Sequence, residues 1–309
     1  MAGAHLRAMR DDDWSEVADL VYVSLNYWSV ANGRPALFAG GPAATRLFCQ
    51  VYEALDPGRC LVAESAETGR LTGACFYRER ETHVSLGIMS VHPIYFGQGI
   101  GKQLVEYITG FADDVGKPLR LISSAMNLDS FSLYTKAGFV PRLTYQDLLL
   151  AVPEGGLGRS PAELERVRTA RPDDVQAMAA VERELAGISR VKDYEHFIEN
   201  QEGFWHVSVL ESSDGELDGF LASVGHPLLT ILGPGAARTD AGGLALVAAE
   251  LDRLRGRTVL CLVPVDRGEL VRELYGWGAR NCELHVHQIR GEYQPFRGVN
   301  IPTFMPETG

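Results

Sequence analysis

The chain repeats itself, and that repeat constrains its fold more than any other feature. Leu6-Arg7-Ala8-Met9-Arg10-Asp11-Asp12-Asp13 is matched by Val167-Arg168-Thr169-Ala170-Arg171-Pro172-Asp173-Asp174. An apolar run of helical period follows each: Val17, Leu20, Val21 and Leu25, then Val175, Met178, Val181 and Leu185. Each stretch reads as a short strand, an Asp-rich N-cap and an amphipathic helix. The two halves keep matching in the same order. Strands are predicted at 60–66 and 205–211, at 71–78 and 217–225, and at 83–91 and 228–232. Glycine-containing loops then lead to helices near 101–111 and 242–254, followed by apolar strands at 119–123 and 259–263. Each half later reaches a helix ending in Leu-Tyr (Leu133-Tyr134 and Leu274-Tyr275) and a last strand.

The Gly- and Pro-rich run 152–160 (VPEGGLGRS) is the natural connection, and 309 residues suit two domains. The expected division is residues 1–152, a linker at 153–160, and residues 161–309. The fold class is α/β, an α+β mixed sheet built twice.

Charge narrows the partners. Residues 1–155 carry 13 Lys and Arg against 17 Asp and Glu, and the rest 16 against 23. Neither half is basic, so nucleic acid is not an expected partner. An acidic surface suits solubility and mildly favours cationic substrates. No apolar run reaches the length of a membrane span, and the first residues (MAGAHLRAMRDDDW) lack the apolar core of a signal peptide. The five cysteines (Cys49, Cys60, Cys75, Cys261, Cys282) are scattered and form no CxxC pair. A cytoplasmic protein without a disulfide or zinc framework is expected.

The sharpest local signal is Ser90-Val91-His92-Pro93-Ile94-Tyr95-Phe96-Gly97-Gln98-Gly99-Ile100-Gly101-Lys102-Gln103-Leu104. An apolar strand ends at Val91, Pro93 breaks it, and three glycines lead into a helix. Glycines let backbone approach a ligand, and the helix start adds unpaired N–H donors suited to a phosphate or diphosphate. A Walker A loop fails, because Phe96 stands where its first glycine is needed and Gln103 follows Lys102. A dinucleotide fingerprint belongs beside the first strand of a parallel unit, whereas antiparallel-looking strands precede this loop. A plain Gly-rich turn is the bland alternative.

Further on lies Asn127-Leu128-Asp129-Ser130-Phe131-Ser132-Leu133-Tyr134-Thr135-Lys136-Ala137-Gly138-Phe139-Val140. Together the two segments resemble the GCN5-related N-acetyltransferase (GNAT) superfamily. There, a V-x-P strand end followed by [RQ]-x-x-G-x-[GA] cradles the coenzyme A diphosphate. A later N-x-x-[AS]-x-x-[LF]-Y-x-x-x-G-F segment lines the pantetheine and supplies a tyrosine. The resemblance covers residues 6–150 and implies two tandem GNAT (acyl-CoA N-acyltransferase) folds. The rear repeat has decayed: Ala241 replaces the central glycine, and Asp240 would sit beside a diphosphate.

It further implies acetyl-CoA as co-substrate, with an amine on a small molecule or peptide as acceptor. The contacts carried over are Met89, Ser90 and Val91 at the strand end, and Phe96, Gly97, Gln98, Gly99, Ile100, Gly101 and Lys102 at the loop. Asn127, Ser130 and Tyr134 complete the set. Phe96 departs from the family's Arg or Gln, which leaves the diphosphate to main-chain amides. Tyr134 is the implied general acid, with a reference pKa of about 10, above that of a thiol near 8.5. Capping of the following helix is the ordinary role for Asn127 and Ser130.

The inward positions where relatives keep a Glu or His base are Ser85 and Gly87 here, so no base is visible. His83 and Glu81 could act only through a water. Acceptor contacts are sought at Tyr22, Asn26, Tyr27, Trp28 and Phe38. His285 and His287 alternate on one strand but lack a third ligand of telling spacing, so no metal is expected. The apolar tail 298–306 is expected to pack on one half or across both. Non-catalytic acyl-CoA binding or sensing remains the alternative function, and a homodimer is left open.

Overall fold

Both halves open on the same ionic clasp. Arg7 donates to Asp13 at 2.6 Å and Arg168 to Asp174 at 2.7 Å. Each carboxylate also accepts a backbone N–H, from Arg10 and from Arg171, which ends the first strand and starts the first helix. The paired arginine holds each aspartate below its usual range.

The computed structural model describes residues 4–307. The front half runs β1 (Ala4–Ala8), α1 (Trp14–Ala31), α2 (Arg46–Leu55), β2 (Cys60–Ser65), β3 (Leu71–Glu79), β4 (Val84–Val91), α3 (Ile100–Asp114), β5 (Leu119–Ser124), α4 (Leu128–Lys136) and β6 (Val140–Ala151). The rear half repeats it as β7 (Val167–Thr169), α5 (Val175–Ala186), α6 (Val191–Glu199), β8 (Trp205–Glu211), β9 (Leu217–Gly225), β10 (Thr230–Ala237), α7 (Asp240–Arg253), β11 (Thr258–Pro264), α8 (Gly268–Gly276) and β12 (Arg280–Arg290). A last strand, β13 (Val299–Ile301), follows. Residues 152–160, all described, carry no helix or strand.

Among the described residues the strands join in one 13-stranded sheet, ordered β1-β2-β3-β4-β5-β12-β6-β11-β10-β9-β8-β7, with β13 beside β10. The order reads the same from either edge once each strand is replaced by its counterpart in the repeat. A local twofold axis therefore passes between β12 and β6, where Tyr145 lies opposite His285. The halves have traded their last strands: β12 pairs with β5 of the front, and β6 with β11 of the rear. Neither half closes its sheet alone.

Three apolar clusters fill the layers. One runs unbroken under α1, α2, α5 and α6 and includes Val17, Phe48, Tyr52, Tyr194, Phe197, Phe220 and Met305. The opposite face holds separate cores under α3 and α4, and under α7 and α8. Continuity of the first cluster makes the halves one cooperative body.

A buried ionic knot strengthens that union. Asp193 on α6 takes Arg80, just past the end of β3, at 2.6 Å and Arg78 of β3 at 3.2 Å, and Arg80 also holds Asp56 at 2.6 Å. Burial alone would raise the Asp193 carboxyl, but the two guanidinium groups hold it down to about 2.

The tail does cross both halves. β13 pairs antiparallel with β10 at Gly235–Ala237, and Tyr145 donates to the Asn300 side chain at 2.9 Å. Phe304 then packs on the His285 ring at 4.8 Å, and Glu307 reaches β5 of the front half, where Ile122 N–H donates to its carboxylate at 2.9 Å.

Candidate active site

The front half contains an opening between two parallel strands. β4 and β5 pair at Val84–Leu119 and Ser85–Arg120, and among the described residues their pairing stops there. Opposite β3, β4 then carries an extra residue between Leu86 and Met89, a bulge that bends the strand away. Gly87 sits in it, and a Cβ there would lie 2.6 Å from the Tyr52 hydroxyl, so a larger residue would force the aromatic ring out. Met89, Ser90 and Val91 form the bulged strand's free end.

Beyond Pro93 the chain turns into α3. Gly97 and Gly99 have φ of 75° and 83°, with open space where a Cβ would stand. Glycine is used here for backbone conformation, and it leaves the approach clear. Gly99 is the N-cap of α3, and among the described residues no side chain caps that helix. The first-turn amides of Ile100, Gly101 and Lys102 point out of the helix start, where its dipole favours an anion. A Cβ on Gly101 would meet Leu133 of α4 at 3.4 Å and Val91 of β4 at 3.8 Å, so strand end, loop and α4 converge here. Phe96 is half exposed, and its ring meets Tyr27 of α1 at 5.8 Å. Gln98 reaches back to the Ile94 carbonyl at 3.5 Å, and Lys102 faces solvent beside Glu106.

On α4, Asn127 uses its side-chain oxygen to cap the helix at Ser130 N, 3.1 Å away, so the ordinary role is filled. Its amide donors take no part in that cap. Tyr134 is 6% exposed and packs edge-on to Phe139 at 5.8 Å. Among the described residues no protein group bonds its hydroxyl, and that oxygen is not one of the buried polar atoms left without a partner, so it is free to meet solvent or a ligand. Burial raises its pKa, and Cys75 and Glu307 add to the effect, so the phenol stays protonated.

The sequence-based candidates for a base lie elsewhere. His83 is buried ahead of β4, where the strands are still paired, and burial drives its pKa far down. Glu81 is exposed in the turn before it. Asn26 clamps Phe38 by two bonds, at 2.9 and 3.0 Å, and so fastens the loop between α1 and α2. That loop reaches the rear half's β12 through Arg34 and Glu283, 2.5 Å apart. Two residues at the opening escaped the sequence reading, Tyr52 and Glu307. Tyr52 lay in an unremarked amphipathic helix, and the apolar tail indicated packing but not the landing place of its carboxylate.

The rear half shows what a closed version looks like. β10 pairs with β11 at Ile231–Leu260, and its bulge falls between Leu232 and Gly235, the same place as in β4. The opening is occupied by β13, and a Cβ on Gly233 would strike the Pro302 carbonyl at 2.4 Å. Thr239 caps α7 by accepting from Gly242 N, and Asp240 occupies the first turn. Tyr275, the counterpart of Tyr134, is 43% exposed and bonds Gln146. The expected strand end at Leu232 and glycine loop from Gly233 need correction. The strand continues to Ala237, because the bulge absorbs Pro234 without breaking the ladder.

His285 and His287 do not share a ligand. His285 Nδ1 lies 2.8 Å from Asp147, and the His287 ring stacks on Phe296 at 5.2 Å. Among the described residues no group of three metal-ligating side chains occurs.

The sequence pattern of the acetyltransferase (GNAT) domain matches residues 56–141, which takes in the opening, the loop and α4. The UPF0157 protein YqkA of Bacillus subtilis (strain 168) is 32% identical over 89 residues, 28% of this chain and 26% of that protein. The chain thus spans about a quarter of that relative's length. A crystal structure of a putative acetyltransferase from Pyrococcus horikoshii superposes with a TM-score of 0.71 at 15% identity, covering 97% of this chain and 95% of that one. A tandem GNAT protein from the clavulanic acid biosynthesis pathway gives 0.59 at 15% identity, covering 94% and 100%. The architecture is that of a tandem GNAT protein.

Proposed function

We propose, with a GNAT acetyltransferase domain at residues 56–141 of a tandem GNAT fold as the premise, that the front half (residues 1–152) transfers an acetyl group from acetyl-CoA to an amine. The rear half (residues 161–309) is then a non-catalytic partner, joined through 153–160. One observation carries this reading: β13, Thr239 and Asp240 fill and cap the rear opening, while among the described residues no strand enters between β4 and β5 and no side chain caps α3.

Acetyl-CoA supplies the acyl group as a thioester. The amides from Gly97 to Lys102 bind its diphosphate, Phe96 contributing surface where a polar side chain is usual. The main chain of Met89, Ser90 and Val91 orients the pantetheine along the free edge of β4. Asn127 and Ser130 lie alongside, and Tyr134 donates a proton to the departing sulfur. Leaving groups of this kind need only a positioned donor, since the thiolate is itself a weak base.

Calorimetric titration with acetyl-CoA is expected to show one site per chain. Thiol release should follow on adding a polyamine, an amino acid, an aminoglycoside or a peptide N-terminus. Gly99→Asp gives a sharper test. Aspartate is one of the few side chains that visit the left-handed backbone, there is open space at this position, and the melting temperature of the variant is measured alongside to show that the fold is kept. Its charge competes for the same amides, and the affinity for acetyl-CoA should fall more than about tenfold, as loss of an anion site at a helix start implies. Two sites per chain, or an unchanged affinity in this variant, would sink the assignment.

A further inference from the structure

The opening between β4 and β5 has an acid at its base that comes from the far end of the chain. Glu307 is 7% exposed and is gripped by three elements of the front half. Its backbone N–H donates to the Tyr52 hydroxyl of α2 at 3.0 Å, its carbonyl accepts from Arg78 of β3, and its carboxylate accepts from Ile122 N–H of β5 at 2.9 Å. Two of these contacts fix its place. Tyr52 abuts the bulge at Gly87 on one wall, and Ile122 lies beyond the last paired residue, Arg120, on the other. The carboxylate therefore stands between the diverging strands.

We propose that Glu307 is the general base of the front site, taking the proton from the acceptor amine. This rests on the acetyl-transfer reading above. The amine nitrogen forms a bond to the acyl carbon, and the carbon–sulfur bond breaks. The amine proton passes to the Glu307 carboxylate, and the thiolate takes the Tyr134 proton. Glu307 then returns its proton to Tyr134 through solvent, so no further reactant is needed. The rear repeat, whose own opening is filled, would thus complete the site of the front one.

The surroundings suit the task. Burial pushes the Glu307 carboxyl up to about 7, against the Ile122 amide, His285 of β12 and Arg78 of β3. Asp147 lies beside His285, and Asp193 beside Arg78, so each of these two groups has an acid of its own. The other groups facing it, Tyr52 of α2, Tyr134 of α4 and Cys75 of β3, are all raised by burial and stay neutral. A carboxyl of raised pKa accepts a proton only in its ionised form, so kcat/KM should rise as pH increases through about 7.

Glu307→Gln tests this directly, because the amide keeps an oxygen for the Ile122 N–H. Acetyl transfer to the best amine of the panel named above is followed from pH 5.5 to 9.5, with acetyl-CoA affinity measured by calorimetry. The expected result is a loss of about 100-fold in kcat and disappearance of the limb near pH 7, with affinity within twofold of wild type. Glu307→Asp, which keeps the acid but shortens its reach, should retain the limb at lower kcat. Wild-type turnover with Glu307→Gln within threefold, or with its limb intact, overturns the base while leaving acetyl transfer standing. Acetyl-CoA binding without turnover of any panel amine by the wild type overturns both.

Discussion

Asp193→Asn is expected to destabilise the protein by about 3–5 kcal/mol, the usual penalty for leaving a buried partner charge uncompensated. Arg78 is 1% exposed, and once Asp193 loses its charge it keeps the Glu307 carbonyl and the Tyr52 ring face, neither of them an anion. Arg80 fares better, since Asp56 still holds it. The cost should appear as a lower urea midpoint with an unchanged slope. Because Asp193 belongs to the rear half and both arginines to the front, both halves should lose structure in one transition. A midpoint within the scatter of surface variants would show that the knot contributes nothing net. The pH dependence has a definite sign. A depressed carboxyl stabilises above its ordinary value of about 3.9, and that contribution fades as pH falls through about 2. The wild type should therefore hold its margin over Asp193→Asn down to strongly acidic solution.

Tyr134→Phe is expected to lower kcat by roughly 10²–10⁴-fold, the range for a positioned proton donor. The hydroxyl has no protein partner among the described residues, so its removal breaks no bond of the fold, and acetyl-CoA affinity should stay within twofold. Stopped-flow thiol release separates the two parameters. The phenol is protonated throughout the neutral range, so it contributes no limb of its own there. Unaltered turnover in this variant would remove Tyr134 from the chemistry.

Much of the framework was legible because its signals are local. Period-two runs, the Asp-rich turns and the glycines at the start of α3 are read from neighbours in sequence, and they place β4, the loop and α4 correctly. The end of β10 was misread for the same reason. Gly233-Pro234 looks like a breaker until the partner strand is seen to tolerate a bulge there. The exchange of β6 and β12 has no local signature at all, since either strand satisfies the same alternation in either sheet. Glu307 is the extreme case. Its contact with Ile122 spans 185 residues, and a glutamate following Pro306 looks like any solvated residue near a chain's end.

The traded strands carry a last implication. Two copies related by a twofold axis, each lending its final strand to the other, have the geometry of a closed pair of identical subunits. In such a pair every substitution strikes twice, once on each subunit. A covalent tether between the copies lifts that symmetry. One member can then lose its ligand while its twin keeps working, and the surplus chain can be redeployed across the seam. The asymmetry between a groove plugged by a whole strand and one reached only by the last turn of the tail is a divergence that a fused pair permits.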